Sequence, residues 1–230
     1  MNNHTGVAVL FDLDGTLVDS QDSETLALQC FTRQLGGTIL AADIADLVAG
    51  RRMQESIDML CAHIGVDPPA DALPRVRQLA EYFLERRLRC VPGVGTALSR
   101  IDHPKFVVSN SPVDMIDDRL SRTTLLHHFP EAHFSAYEYH TWKPAPDLYL
   151  AAIRNLALDV NSAIAVEDSR VGVQSAVEAG LRVYWYQPAF HGSNCWVGRV
   201  RLFSRMSALP AMLNEDLPYT AYPRQPLMVG

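Results

Sequence analysis

The chain has 230 residues, of which 48% are hydrophobic and 20% are charged, and its formal net charge is −6. This size and composition are typical of a globular protein with a sizeable core, built as one large domain or as one domain with an insert. The acidic balance argues against a nucleic-acid-binding protein, and no stretch approaches the roughly 18 apolar residues of a membrane span. The N-terminus lacks a signal-peptide pattern, and the four cysteines are widely spaced. We therefore expect a cytoplasmic protein with free thiols.

Short apolar runs that alternate with helical patterns indicate a parallel β-sheet. The runs are rich in Val, Phe and Tyr, which is typical of strands that are buried on both faces. The predicted strands are 7–11, 105–109, 132–136 (a weaker one), 163–167 and 182–186, with 198–203 as a candidate sixth. The predicted helices among them are 114–126, 146–158, 171–180 and 207–215. Because such alternation implies right-handed crossovers, we predict an α/β fold with a doubly wound, Rossmann-like parallel sheet.

One interval near the N-terminus lacks this alternation. From residue 18 to residue 88 the sequence shows one helical pattern after another and no convincing strand. We interpret this interval as an all-helical cap domain inserted into an α/β core of residues 1–17 and 89–215, with 216–230 as a C-terminal tail. Since the insert starts directly after the first strand, we expect it to cover the residues that follow that strand.

Polar side chains follow the first four predicted strands, at or beyond their carboxyl ends. The set is Asp12, Asp14, Thr16, Ser109, Asn110, Lys143, Glu167 and Asp168. Ligands of open parallel sheets bind beyond the carboxyl ends of the strands, so we expect these side chains to form one site.

The acidic members of this set would repel one another without a cation among them. Two charges about 4 Å apart interact by about 4 kcal/mol at an effective dielectric constant near 20. Oxygen ligands without His or Cys favour Mg²⁺ over zinc, and Mg²⁺ held by few carboxylates is typical of sites for phosphate substrates. We therefore expect Ser109, backbone N–H groups and Lys143 to hold phosphoryl oxygens.

Asp12 and Asp14 are two residues apart, so in an extended segment both carboxylates face the same side. One can attack phosphorus as a nucleophile, and the other can protonate the leaving oxygen and later activate water. Gly15 allows the chain to turn immediately afterwards.

Four segments carry a family resemblance. "DLDGT" (12–16), "VVSNS" (107–111), "KPAPDLY" (143–149) and "VEDSRVGVQSAVEAG" (166–180) resemble, in order and spacing, the four motifs of the haloacid dehalogenase-like hydrolase superfamily. The helical insert is similar to the cap of its beta-phosphoglucomutase-like branch. The resemblance covers nearly the whole chain up to about residue 215 and implies a Mg²⁺-dependent phosphatase with an aspartyl-phosphate intermediate.

The resemblance assigns a role to each acidic residue. It implies that Asp12 is the nucleophile and that Asp14 is the general acid and base, with its backbone carbonyl on Mg²⁺. Asp168 would ligate Mg²⁺, and Glu167 would be a direct or water-mediated ligand. The metal ligands implied are therefore Asp12, Asp14, Glu167 and Asp168.

The resemblance also implies roles for the remaining polar residues of the core. Ser109 and the Asn110 amide would bind the transferring phosphoryl group. Lys143 would neutralise that group and the nucleophile, and Thr16 would support the turn beside the bound phosphate.

The predicted cap contains two adjacent arginines, Arg51 and Arg52. By the resemblance, either could bind a carboxylate or phosphate of the substrate, and ordinary surface charge explains them equally well. Mutases of this branch usually carry an arginine three residues after the cap glycine, and here that position is Met53. This departure argues modestly against a mutase.

The substrate class follows from one longer segment. Residues 106–149 are most similar to phosphatases of 6-phosphogluconate, so a sugar or sugar-acid phosphate is the expected small-molecule substrate, without an obligate protein partner. A beta-phosphoglucomutase-like phosphomutase and a phosphoglycolate phosphatase-like activity remain alternatives. A dehalogenase would need no metal, and Glu167 and Asp168 argue against it.

Overall fold

The computed structural model describes residues 7–48, 53–130, 133–188 and 196–216. The chain divides into two compact units, a core unit of residues 1–18 and 90–230 and a helical unit of residues 19–89. The sequence-based limits of the insert, 18 and 88, lie one residue before these limits at each end. Of the predicted tail, residues 217–230 lie outside the described part.

The core unit contains a seven-stranded sheet. The strands are β1 (Ala8–Phe11), β2 (Lys105–Ser109), β3 (Phe134–Ser135), β4 (Ala163–Glu167), β5 (Arg182–Tyr186), β6 (Trp196–Val197) and β7 (Val200–Phe203). Their order across the sheet is β3-β2-β1-β4-β5-β7-β6, and only β6, among these strands, runs antiparallel to its neighbour. The prediction of a doubly wound parallel sheet is confirmed.

Helices connect these strands and form the second unit. They are α1 (Gln21–Gln34), α2 (Ala41–Val48), α3 (Met53–Ile64), α4 (Ala72–Arg87), α5 (Val94–Ser99), α6 (Val113–Arg122), α7 (Ala136–Tyr139), α8 (Asp147–Asn155), α9 (Arg170–Glu178) and α10 (Leu209–Asp216).

The predicted strands β2, β4 and β5 match the structure residue by residue. β3 is shorter than predicted because Ser135 already caps α7: its side chain accepts a hydrogen bond from the Tyr137 N–H. The predicted helix 114–126 was too long, since α6 ends at Arg122 and Thr124 has a positive φ of 59°. β6 and the short helices α5 and α7 were not predicted.

The strand order places the site. From β1 the chain first adds β2 and β3 on one side, and then returns to add β4 on the other. The carboxyl ends of β2, β1 and β4 are therefore neighbours at the point where the strand order reverses. β1 and β4 are buried along their whole length, which explains their continuous apolar runs.

The helical unit has its own apolar core, which includes Leu28, Phe31, Ile57 and Leu60. Its two ends are joined by the Arg89 guanidinium, which contacts the carboxylates of Asp19 and Asp22 at 2.9 and 2.5 Å. None of the helices in the described ranges is both long enough and apolar enough to cross a membrane.

Candidate active site

Asp12 directly follows the last residue of β1 and extends the backbone hydrogen bonding of that strand to β4. Its N–H donates to the Val166 carbonyl of β4 at 2.9 Å, and the residue is only 8% exposed. The chain then turns at Gly15, which has a φ of +83°. A Cβ on Gly15 would overlap the Asp168 carboxylate, so this turn requires glycine both for its backbone conformation and for the close approach of Asp168.

The Lys143 ammonium lies at the centre of the buried charges. It donates to Asp12 Oδ1 at 2.6 Å, to Glu167 Oε1 at 2.5 Å and to the Val108 carbonyl at 2.8 Å. Burial opposes its charge, yet the two carboxylates raise the pKa of Lys143 above its ordinary value. These contacts therefore favour the protonated, cationic form of Lys143 beside Asp12.

Glu167 has no exposed surface and lies beneath the first turn of α9. Its Oε1 accepts the Lys143 ammonium and also the Tyr149 hydroxyl, the latter at 2.7 Å, and its Oε2 is 3.4 Å from the Ser169 hydroxyl. A Cβ on Gly172 would overlap this carboxylate. Burial and the charge of Glu167 raise the pKa of Tyr149, so the phenol remains a neutral donor.

Asp12, Glu167 and Asp168 form an acidic cluster in which one side-chain oxygen of each lies within 4.8 Å of the others. Burial, followed by the charge of Glu167, raises the pKa of Asp12 and raises that of Asp168 to about 7. Thr16 Oγ1 is 3.3 Å from Asp168 Oδ1, to which it donates. Crowded carboxylates of this kind fit a hard divalent cation, because its charge would offset their repulsion.

The Asp14 carboxylate lies apart from the acidic cluster. Arg119 Nη1 donates to both of its oxygens at 2.7 Å, and the Ser111 hydroxyl donates to Oδ2 at 3.1 Å. The two aspartates that follow β1 thus have different cationic partners. The Asp14 side chain is occupied by Arg119 and Ser111, so the metal contact predicted for Asp14 concerns its backbone carbonyl.

The loop after β2 is cross-linked to Lys143. The Asn110 side chain accepts from the Lys143 N–H at 2.9 Å and donates to the Lys143 carbonyl at 3.3 Å. Ser109 is buried, and its hydroxyl accepts from the Ser111 N–H at 3.0 Å. Because the Asn110 side chain is used in this way, the predicted phosphate contact of Asn110 concerns its backbone N–H.

The structure thus brings together the predicted residues of the core unit at one edge of the sheet. Arg51 and Arg52 lie outside the described residues. Tyr149 and Arg119 were not predicted as site residues. Arg119 had a signal in the sequence, because it shares a helix face with the apolar Ile116 and Leu120, where a charge requires a buried partner.

A family comparison agrees with this arrangement. The family model of the haloacid dehalogenase-like hydrolases matches residues 9–186. The chain belongs to this family, and the predicted resemblance is confirmed. Members of the family generally use Mg²⁺, which suits the acidic cluster.

Individual relatives narrow the class to enzymes that act on phosphate esters. The chain is 31% identical over 207 residues to a 6-phosphogluconate phosphatase of Escherichia coli, which covers 89% of this chain and 93% of that protein. It is 26% identical over 184 residues to a phosphorylated carbohydrates phosphatase of Thermotoga maritima, covering 77% and 83%. A haloacid dehalogenase-like protein of Agrobacterium tumefaciens has the same fold, with a TM-score of 0.79, 26% identity and 92% and 99% coverage. The protein is a phosphatase-like hydrolase of this family.

Proposed function

We propose that this protein is a Mg²⁺-dependent phosphatase of sugar or sugar-acid phosphates that acts through an aspartyl-phosphate on Asp12. The observation that carries the proposal is the buried Lys143 ammonium, 2.6 Å from one Asp12 oxygen at the carboxyl edge of the sheet. This ion pair holds one oxygen of Asp12 and leaves the other for attack on phosphorus.

The reaction has two steps on this chain. In the first, Asp12 forms a bond to phosphorus while the bond to the leaving oxygen breaks, and Asp14 gives that oxygen its proton. In the second, Asp14 takes a proton from water, which attacks phosphorus and frees Asp12 as inorganic phosphate leaves. Ser109, the Asn110 N–H and Lys143 hold the phosphoryl oxygens through both steps.

The residues that would hold Mg²⁺ are Asp12, Asp168 and the Asp14 carbonyl. The bound ion would offset negative charge on the phosphoryl group and on the carboxylates around it. Both oxygens of Glu167 already have hydrogen-bonding neighbours, Lys143 and Tyr149 at one and the Ser169 hydroxyl at the other. This favours the water-mediated form of its predicted role.

The proposed first substrate is 6-phosphogluconate. This proposal is supported by the 31% identity to the 6-phosphogluconate phosphatase of Escherichia coli. The resemblance of residues 106–149 to phosphatases of 6-phosphogluconate supports it as well. Three points remain predictions from the sequence. They are that the helical unit serves as a cap, that Arg51 and Arg52 contact the substrate, and that the protein is cytoplasmic. The location is supported by the free thiols of Cys30, Cys61 and Cys90.

The test is phosphate release with and without Mg²⁺ from 6-phosphogluconate, phosphoglycolate, several sugar phosphates and an aryl phosphate. Asp12→Asn is expected to lower phosphate release at least about a thousandfold, because it removes the covalent route. Asp114→Asn, an equal charge change at an exposed residue in the first turn of α6, serves as the matched control and should keep full activity.

Each outcome of the panel has a distinct meaning. Undiminished release by Asp12→Asn would contradict the nucleophile assignment. Turnover of another sugar phosphate with indifference to 6-phosphogluconate would remove the substrate proposal and keep the mechanism. Conversion of one sugar phosphate to another without inorganic phosphate, followed by phosphorus NMR, would show a mutase instead.

A further inference from the structure

The Asp14 carboxylate is held by an arginine that lies in the interior of the core unit. The Arg119 side chain is only 9% exposed, whereas that of Asp14 is 31% exposed. Arg119 Nη1 donates to both Asp14 oxygens at 2.7 Å. One side of the carboxylate is therefore fixed by protein, and the other remains accessible.

Packing alone does not explain a charge at this position of α6. Arg119 shares its helix face with the buried Ile116 and Leu120, and an apolar residue there would avoid the cost of desolvating a guanidinium. A buried arginine is tolerated where a carboxylate accepts its hydrogen bonds, and the Asp14 carboxylate accepts from Arg119 Nη1.

A second group fixes the rotation of the carboxylate. The Ser111 hydroxyl donates to Asp14 Oδ2 at 3.1 Å and lies 3.5 Å from Arg119 Nη1. Ser111 is itself held, since its N–H donates to Ser109 and its carbonyl accepts the Ser135 hydroxyl at 2.7 Å. The position of Asp14 is thus tied to the loop after β2.

Asp12 and Asp14 each contact a different cationic side chain. The Lys143 ammonium contacts the carboxylates of Asp12 and Glu167, whereas the Arg119 guanidinium contacts that of Asp14. An Asp14 carboxylate that joined the acidic cluster would bind metal, and its oxygens would be lost for proton transfer. Arg119 offers it a separate partner.

We propose that Arg119, together with Ser111, is a positioning residue that holds the Asp14 carboxyl group in place for the transfer of its proton to the leaving oxygen, a proton that Asp14 regains from water in the second step. The inference rests on the proposed function and deepens it. The proposed role of Arg119 is to orient Asp14. Loss of Arg119 should therefore slow the reaction most for substrates whose leaving group must receive a proton.

The test compares kcat/KM for two substrates in Arg119→Met, which removes the guanidinium and keeps most of the stem. A nitrophenyl phosphate has a leaving group that departs without a proton, whereas the alkoxide of a sugar phosphate needs one. Because kcat/KM reports the steps up to bond cleavage, we expect a loss of about tenfold or more for the sugar phosphate and little change for the aryl phosphate.

Two further variants complete the experiment. Arg122→Met, in the last turn of the same helix and paired with Asp118 at 3.2 Å, is the control and should change neither value. Ser111→Ala removes the second contact to Asp14 without touching a buried charge. It should show the same selective loss, smaller in size, and it decides the question if Arg119→Met does not fold.

The results separate the two proposals. A selective loss for the sugar phosphate supports the positioning role. Equal losses for both substrates, no loss, or a gain would overturn it while the phosphatase function of the wild type stands. A wild type that releases phosphate from neither substrate would overturn the proposed function itself and the inference with it.

Discussion

At the scale of single residues, the main feature of the site is the burial of several carboxylates around one ammonium group. Asp12 and Glu167 are both buried, and the single ammonium of Lys143 contacts both. Asp168 adds a further carboxylate to the same cluster. The cluster therefore carries more negative than positive charge, and protons or a divalent cation must make up the difference.

Asp168 predicts how Mg²⁺ binding depends on pH. Its pKa in the folded protein is raised to about 7, so its contribution to stability is present below pH 4 and is lost as the pH rises through 7. Mg²⁺ competes with this proton. We expect Mg²⁺ affinity, measured by isothermal titration calorimetry, to rise about tenfold between pH 6 and pH 8.

Asp168→Asn is the informative variant for this prediction, because it removes the ligand whose pKa is raised to about 7 and should leave binding that is weaker and depends less on pH in this range. Asp114→Asn should behave as the wild type does. An affinity that stays constant or falls between pH 6 and pH 8 in the wild type would contradict the assignment of Asp168.

At the scale of elements, the junction of β4 and α9 determines where the acids lie. Glu167 is the last residue of β4, and Ser169 caps α9 by accepting the Gly172 N–H at 3.1 Å. The first turn of the helix therefore passes directly over the Glu167 carboxylate. Only a residue without a side chain fits at position 172.

Gly172→Ala is expected to destabilise the protein by about 2 kcal/mol or more, because the added Cβ overlaps a carboxylate that Lys143 and Tyr149 hold in place. The measurement is the free energy of unfolding in urea. Mg²⁺ affinity should fall as well, since the overlap displaces a member of the acidic cluster.

Gly95→Ala, in α5, is the matched control. A Cβ there would meet its nearest atom at 4.0 Å, so we expect a neutral change or a gain of up to about 1 kcal/mol from the higher helix propensity of alanine. Equal effects of the two substitutions would show that the close approach to Glu167 has no energetic consequence.

At the scale of the whole molecule, the predicted Mg²⁺ ligands all belong to one of the two compact units. Asp12, Asp14, Glu167 and Asp168 lie in the core unit, and the helical unit of residues 19–89 supplies none of them. A ligand that binds only the native core stabilises the unit that contains its site.

We expect Mg²⁺ to slow hydrogen exchange in β1, β4 and the first turn of α9, with smaller effects in α1 and α4. Some amide hydrogens exchange only when the whole core unit unfolds. For these, a Mg²⁺ concentration of about one hundred times its dissociation constant should raise the free energy of opening by about 2.7 kcal/mol. Hydrogen exchange followed by mass spectrometry measures this. Asp168→Asn should abolish the gain, and equal protection throughout both units of the wild type would contradict the prediction.

The order of chemistry-bearing residues along the chain was readable without the structure. The apolar run before Asp12 and Asp14 predicts a buried strand with polar groups after its carboxyl end. The apolar runs that end in Ser109 and Glu167 likewise predict buried strands with a polar residue at the end. Periodicity and strand-end position are local properties, so β2, β4 and β5 were predicted residue by residue. Elements of one turn or two residues, such as α7 and β6, contain too few side chains to show a period.

The partners of these residues depended on tertiary structure. The amino-acid sequence by itself determined the parallel sheet and predicted the helical insert and the candidate residues, because apolar patterning and strand-end position depend on neighbours in the chain. Only the folded structure decided that the Lys143 ammonium also contacts Glu167 and that Arg119 contacts Asp14. Those contacts join residues at least 24 positions apart in sequence, and they depend on three-dimensional packing that brings separate elements to one edge of the sheet.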